Sequence, residues 1–250
     1  MYEGIKKLII LSDIHSNLSA LQAVINDFKS RYNPDAIALL GDLINYGMRP
    51  NEVISEIKSL ANVIPIICNL RGNHENALID GNLSYFSTER GKEILNYTSR
   101  ILTESSLSYL KYEVDDAGLK EVTISNKSVL FIHGDLNDSF WGSLTVDKIN
   151  DGRYKKFDYV ISGHTHRPHF LEKFFSCEND SMRNLKKTVF LNPGSVGQPR
   201  NHNPFAQYIY IDFMLGTIHY NAVPYNIEFE KSLFSNEVNS FYKDRLTFGN

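Results

Sequence analysis

Five short apolar runs in this chain each end in a side chain able to hold a metal ion. They are Leu8 to Leu11 before Asp13 and His15, Ala36 to Leu40 before Asp42, Val63 to Cys68 before Asn73, Val129 to Ile132 before His133, and Tyr159 to Ile161 before His164 and His166. An apolar run buried on both faces carries no polar chemistry of its own, so in a parallel sheet the reactive groups collect in loops at the carboxyl ends of the strands. The pattern therefore restricts the chain to covered sheets whose loops meet at one crevice. It reads as a two-metal active site.

Composition narrows the alternatives. With 250 residues, 42% hydrophobic and 22% charged, the chain can bury one substantial core. A net charge of -3 gives no general attraction to nucleic acid or to anionic membranes, although a local basic patch can hide in that sum, so binding has to be argued from a site. Lys6 and Lys7 precede only Leu8 to Leu11, too short for a signal-peptide core or a membrane span. Cys68 and Cys177 suggest no disulfide framework, so a cytoplasmic location is expected.

The first half alternates strand and helix. After a strand over Lys7 to Leu11, Leu18, Leu21, Val24 or Ile25, and Phe28 recur at helical spacing, with Ser16 or Asn17 available as the cap. Pro34 stops that helix, and Pro50 suits the first position of the next, with Val53, Ile57 and Leu60 on one face. Pro65 places the third strand at an edge, an end or a bulge. Residues 78–112 read as a helical insertion without obvious ligands. Strands follow at Glu121 to Ile124, Val129 to His133, Tyr159 to Ser162, Thr188 to Asn192, Tyr208 to Asp212 and Thr217 to Val223, the last two forming a hairpin around Phe213 to Gly216. With no internal repeat or linker, residues 1–250 are expected to form a single domain with a C-terminal extension over about 225–250.

In an extended segment, residues two apart point to the same side, so Asp13 and His15 can face one ion together, and His164-Thr165-His166 repeats that logic. Asp42 carries two carboxylate oxygens and can bridge two cations. Asn73 and His74 follow Gly72 and His133 precedes Gly134, each pairing a polar group with a permissive glycine. Singly, each block also reads as a cap, a turn or a satisfied histidine. Their joint occurrence in order, which takes up five of the eight histidines, favours the two-metal reading.

Together Asp13-x-His15, Gly41-Asp42, Gly72-Asn73-His74-Glu75, His133-Gly134 and Gly163-His164-x-His166 resemble the calcineurin-like metallophosphoesterases. Ser12 to Leu21, Gly41 to Val53 and Asn192 to Arg200 are similar to the small bacterial phosphodiesterase branch, so the resemblance spans from about residue 7 to about residue 212. It implies an α/β fold of four layers, two packed mixed sheets flanked by helices. It also implies that Asp13, His15 and His166 hold one metal, that Asn73, His133 and His164 hold the second, that Asp42 bridges them, and that His74 protonates the leaving group. Two divalent ions are implied, Mn first, with Fe, Ni, Zn or Mg as alternatives.

Arg71 and Arg200 are candidate phosphate clamps, because a guanidinium offers a fork of donors to two oxygens. Ser195 and Arg200, in the turn Asn192 to Arg200, are placed beside the metals by the resemblance and are candidate substrate contacts. Tyr46, Phe140 and Trp141 are candidates for stacking on a base. The run Leu70 to Glu75 also resembles Ser/Thr protein phosphatases, but Asn45 and Tyr46 stand where those carry Asp and Arg, which weakens that reading; Asn17 likewise replaces a frequent glycine. The expected activity is hydrolysis of a small-molecule or nucleotide phosphate ester, most of all a diester. The alternatives are a nuclease with a basic groove, a phosphoprotein phosphatase, and a non-catalytic scaffold docking partners through Ile227, Phe229, Leu233, Phe234 and Phe241, a tail for which packing over the sheet is the simpler account.

Overall fold

In a computed structural model, which describes every residue except Met1, Glu3 and Asn184, two five-stranded mixed sheets pack face to face. The first half runs β1 (Lys7–Leu11), α1 (Leu18–Arg31), β2 (Ala36–Leu39), α2 (Pro50–Ala61), β3 (Ile66–Asn69), α3 (Asn73–Asp80), α4 (Glu89–Ile101) and α5 (Glu104–Tyr112). The second runs β4 (Leu119–Ile124), β5 (Lys127–Ile132), β6 (Tyr159–Ser162), β7 (His169–Phe174), β8 (Lys187–Asn192), β9 (Ala206–Asp212), β10 (Thr217–Val223), α6 (Ile227–Ser232) and α7 (Phe241–Phe248). Strand order is β10-β9-β1-β2-β3 in one sheet and β4-β5-β6-β8-β7 in the other. β1, β2 and β3 are parallel, as are β5, β6 and β8, so six carboxyl ends meet along one rim.

Burial explains the continuous apolar runs. Leu8 and Ile10 of β1 face the second sheet, meeting Val129, Phe131, Ile161 and Leu191, whereas Ile9 and Leu11 face Leu21, Val24 and Phe28 of α1. Each such side chain contributes about 1.5–3 kcal/mol by leaving water. The outer face of the second sheet is covered by Leu144, Ile149, Tyr154 and Phe157, from a segment with only short 3-10 turns.

Several expectations shift. β3 begins at Ile66, not Val63, which is 70% exposed. Pro65 precedes this edge strand and accepts from Ile37 N through its carbonyl, so its missing N–H costs no ladder bond. β7 was not expected, because its apolar residues face outward: Phe170 and Phe174 are 48% and 47% exposed on an edge strand. The tail does not lie over a sheet. Phe234 and Tyr242 pack with Tyr46, Met48 and Ile94, while Arg49 pairs with Glu230 of α6. Cys68 and Cys177 are both free thiols.

Candidate active site

At the rim the backbone leaves the extended conformation. Asp13, His15, Asp42, His164 and His166 all have φ between 48° and 64°, the left-handed region that costs a non-glycine residue about 1–3 kcal/mol. Cross-strand bonds hold these turns: Asp13 N donates to Gly41 O at 3.1 Å, His15 N to Asp42 O at 3.0 Å, and His164 N to Asp13 Oδ2 at 3.1 Å. Asp13 and His15 thus converge through turns rather than along a strand. His164 and His166 do not share a face at all; the turns send their imidazoles to different partners.

Two groups of buried donor atoms result, each spanning at most 4.8 Å: Asp13, His15, Asp42 and His166, and Asp42, His133 and His164. Asn73 joins the second, with its Oδ1 2.9 Å from His164 Nδ1 and 3.0 Å from His133 Nε2. His15, His133 and His166 each donate Nδ1–H to a backbone carbonyl, of Ile44, Leu40 and Gln198 respectively. That fixes the tautomer and turns the Nε2 lone pair inward. The Nε2 atoms of His15 and His166 then face each other at 3.1 Å, and Asp13 Oδ1 is buried with no hydrogen-bond partner. Acceptors facing acceptors repel unless a cation lies between them. The residues therefore fit metal ions chemically.

The protonation states agree. Burial holds His15 and His166 well below the usual imidazole range, and lowers His164 to about 3, so all three are neutral. Burial also disfavours charge on His133, but the Asp42 carboxylate outweighs it and pushes His133 up to about 9. Burial raises Asp13 to about 7. The last two groups hold protons that a cation would displace.

Asp42 is fixed from behind. Glu75, fully buried, accepts from Asp42 N at 2.9 Å and Gly72 N at 2.8 Å through Oε2, and from Ile44 N at 3.0 Å through Oε1. Asp42 Oδ1 accepts from His74 N at 3.0 Å, leaving Oδ2 3.7 Å from His15 Nε2 and 3.5 Å from His133 Nε2. Gly72 makes the approach possible, since a Cβ there would meet Asp42 Oδ1 at 2.2 Å.

His74 lines the cavity, and its orienting partner is an amide. Thr98 Oγ1 donates to Asn45 Oδ1 at 3.0 Å, which leaves the Asn45 amide to donate to His74 Nδ1 at 2.6 Å and the imidazole proton on Nε2. Burial lowers His74 to about 4.

The remaining candidates separate. Arg200 lines the cavity with its Nε unpartnered. Arg71 does not; its guanidinium donates to Leu110 O and Lys111 O, carbonyls at the end of α5. Ser195 is fully buried, donating to Asp13 O and accepting from Gln198 N, so it braces the loop rather than facing a ligand. Tyr46 and Trp141 both line the cavity, Tyr46 packed between His15 and Tyr242 and Trp141 beside Tyr85 and Phe86, whereas Phe140 does not and lies against Gly118. The sequence reading missed Glu75, Asn45, Thr98, Arg90, Tyr242 and Arg245. Glu75, three residues after Gly72, had a visible signal as the acid whose carboxylate accepts from Gly72 N at the start of α3; Asn45 stood in the Gly41 to Val53 block only as a departure from the phosphatase pattern, and the others come from segments without motif.

Residues 7–214 match the calcineurin-like phosphoesterase superfamily domain. An uncharacterised protein of Methanocaldococcus jannaschii is 32% identical over 259 residues, covering 98% of this chain and 99% of that protein. The crystal structure of a metallophosphoesterase from Sphaerobacter thermophilus is similar with a TM-score of 0.76 at 25% identity, covering 99% of this chain and 100% of that one. A hypothetical protein from Pyrococcus horikoshii gives 0.81 at 18% identity, covering 98% of each chain. α6 and α7 lie beyond the matched domain but within these longer likenesses.

Proposed function

As a member of the calcineurin-like phosphoesterase superfamily the chain is a phosphoester hydrolase, and we propose that it cleaves small-molecule or nucleotide phosphodiesters at a centre of two divalent cations. The observation that carries this reading is the approach of the Nε2 lone pairs of the neutral His15 and His166 to 3.1 Å, beside the unpartnered Asp13 Oδ1 and the converging Asn73 and His133. In it, Asp13, His15 and His166 would hold one cation and Asn73, His133 and His164 the other, with Asp42 shared by the two groups. Such cations supply a hydroxide nucleophile at neutral pH and neutralise charge on the phosphoryl oxygens. Nitrogen and oxygen donors suit Mn, Fe, Ni and Zn alike, so availability rather than affinity selects the ion; we take Mn²⁺ first, with Fe, Ni, Zn and Mg as alternatives.

The chain's own residues do the rest. His74 presents Nε2–H toward the cavity and hydrogen-bonds the leaving oxygen as charge develops on it, with Asn45 holding the ring. Arg200, which lines the cavity, offers its guanidinium to a phosphoryl oxygen. Residues 1–250 act as one domain, in which the 78–112 insertion and the 225–250 extension wall the cavity, and the protein works in the cytoplasm. Metal-stripped protein reloaded with Mn²⁺ should hydrolyse bis(p-nitrophenyl) phosphate faster than p-nitrophenyl phosphate. His74→Ala should lower kcat by about 10²–10⁴. A loaded wild type inert on a panel of aryl and nucleotide esters would sink the proposal.

A further inference from the structure

The cavity that contains His74 and the inward-facing donors has a volume of about 320 Å³, and its far wall carries three guanidiniums. Arg90 comes from the start of α4, Arg200 from the loop after β8, and Arg245 from α7. Among the described residues none of the three has an Asp or Glu carboxylate within 4.0 Å, and Arg245 is held through Nε alone, which donates to Asn250 O at 2.6 Å. Neighbouring acids are engaged elsewhere, Glu89 with Lys92 and Glu237 with Arg100. Phe241 draws two of the cations together, with Arg90 at 4.2 Å and Arg245 at 5.0 Å from its ring centroid.

A chain of net charge -3 thus concentrates at one place positive charge that no Asp or Glu side chain pairs with. The cost is visible in Arg245, which burial, and then Arg200 and Arg90, lower to about 10. A diester with a single phosphate carries one negative charge, which two cations and Arg200 already answer. Arg90 and Arg245 are then surplus, and they line the same cavity as His74, the residue that faces the leaving portion.

We infer that Arg90 and Arg245, with Arg200, bind a further phosphate group on the leaving portion, so that the substrate class is a polyphosphate ester. This deepens the hydrolytic reading of the site and rests on it. Trp141 and Tyr85, on the same cavity wall, are the surfaces for an attached organic group.

Inorganic triphosphate and orthophosphate, titrated into metal-loaded protein by calorimetry and as inhibitors of bis(p-nitrophenyl) phosphate hydrolysis at fixed free metal, test this. Wild type should prefer triphosphate by about tenfold or more, and Arg90→Ala/Arg245→Ala should lose most of that preference while Arg90→Lys/Arg245→Lys keeps part of it. Arg90 is exposed, so Arg90→Glu should fold and must by itself weaken triphosphate binding even if a change at Arg245 unfolds the protein. Ester turnover without a triphosphate preference, or a preference intact in the variants, overturns the inference alone. Arginine-dependent triphosphate binding in a protein that turns over no ester overturns the hydrolytic reading and leaves the anion site standing.

Discussion

Gly72→Ala isolates what the approach of Asp42 to α3 contributes. Gly72 has φ -93°, which any residue tolerates, so the substitution adds no backbone strain. The difficulty is space: the new Cβ would lie 2.4 Å from Asp42 N and 2.2 Å from Asp42 Oδ1, where unstrained contacts need about 3.4 Å or more. The β2 loop and the start of α3 must therefore part by roughly 1 Å, at an overpacking cost of about 1–3 kcal/mol. Metal ligands tolerate only about 0.2 Å of misplacement, so cation affinity should fall by about 100-fold. Gly81→Ala is the matched control. Gly81 has φ +65° with nothing within 4 Å of its Cβ, so alanine there costs about 1–2 kcal/mol of strain and leaves the rim untouched. Thermal denaturation of metal-stripped protein should show comparable losses for both variants, and titration with Mn²⁺ should show the affinity loss only for Gly72→Ala. Equal Mn²⁺ affinities in the two variants would refute the reasoning.

Three further outcomes are expected. In metal-free protein His133 and Asp13 keep protons up to about pH 9 and about pH 7, so raising pH favours loading; about two protons should be released per loaded centre near pH 6 and about one near pH 8, read by calorimetry in buffers of different ionisation enthalpy. Glu75→Gln keeps the shape but leaves at least one of three buried N–H groups without an acceptor, so Mn²⁺ affinity should fall about 10–100-fold; an unchanged binding isotherm would remove Glu75 from the support of Asp42. Asn45→Ala frees the His74 ring without touching any donor of the two groups, so kcat should drop about tenfold or more at unaltered Mn²⁺ affinity, and loss of metal instead would show that Asn45 braces Asp42.

How far the sequence was legible follows from which interactions are local. The runs at β1, β5 and β6 are buried on both faces, so hydrophobicity alone announced them, and the glycines and histidines that follow marked the rim. What failed was the geometry between those marks: Asp13 and His15 converge through left-handed turns fixed by Gly41 O and Asp42 O, bonds to a strand some thirty residues away that no local pattern encodes. β7 was hidden for the opposite reason, since an edge strand that exposes Phe170 and Phe174 inverts the usual correlation of apolarity with burial. Arg71 shows the same limit from the functional side. It adjoins Gly72 and Asn73 in sequence, yet its side chain runs away from the cavity to the carbonyls ending α5. Arg90 and Arg245 lie in segments without motif and reach the cavity because Phe241 and Tyr242 fold back onto α4 and Tyr46. Chemistry common to the superfamily is thus written into short blocks at strand ends. The groups facing the leaving portion come from α4 and α7, elements whose placement depends on tertiary contacts, so substitutions there should change which ester is bound before they change how it is cleaved.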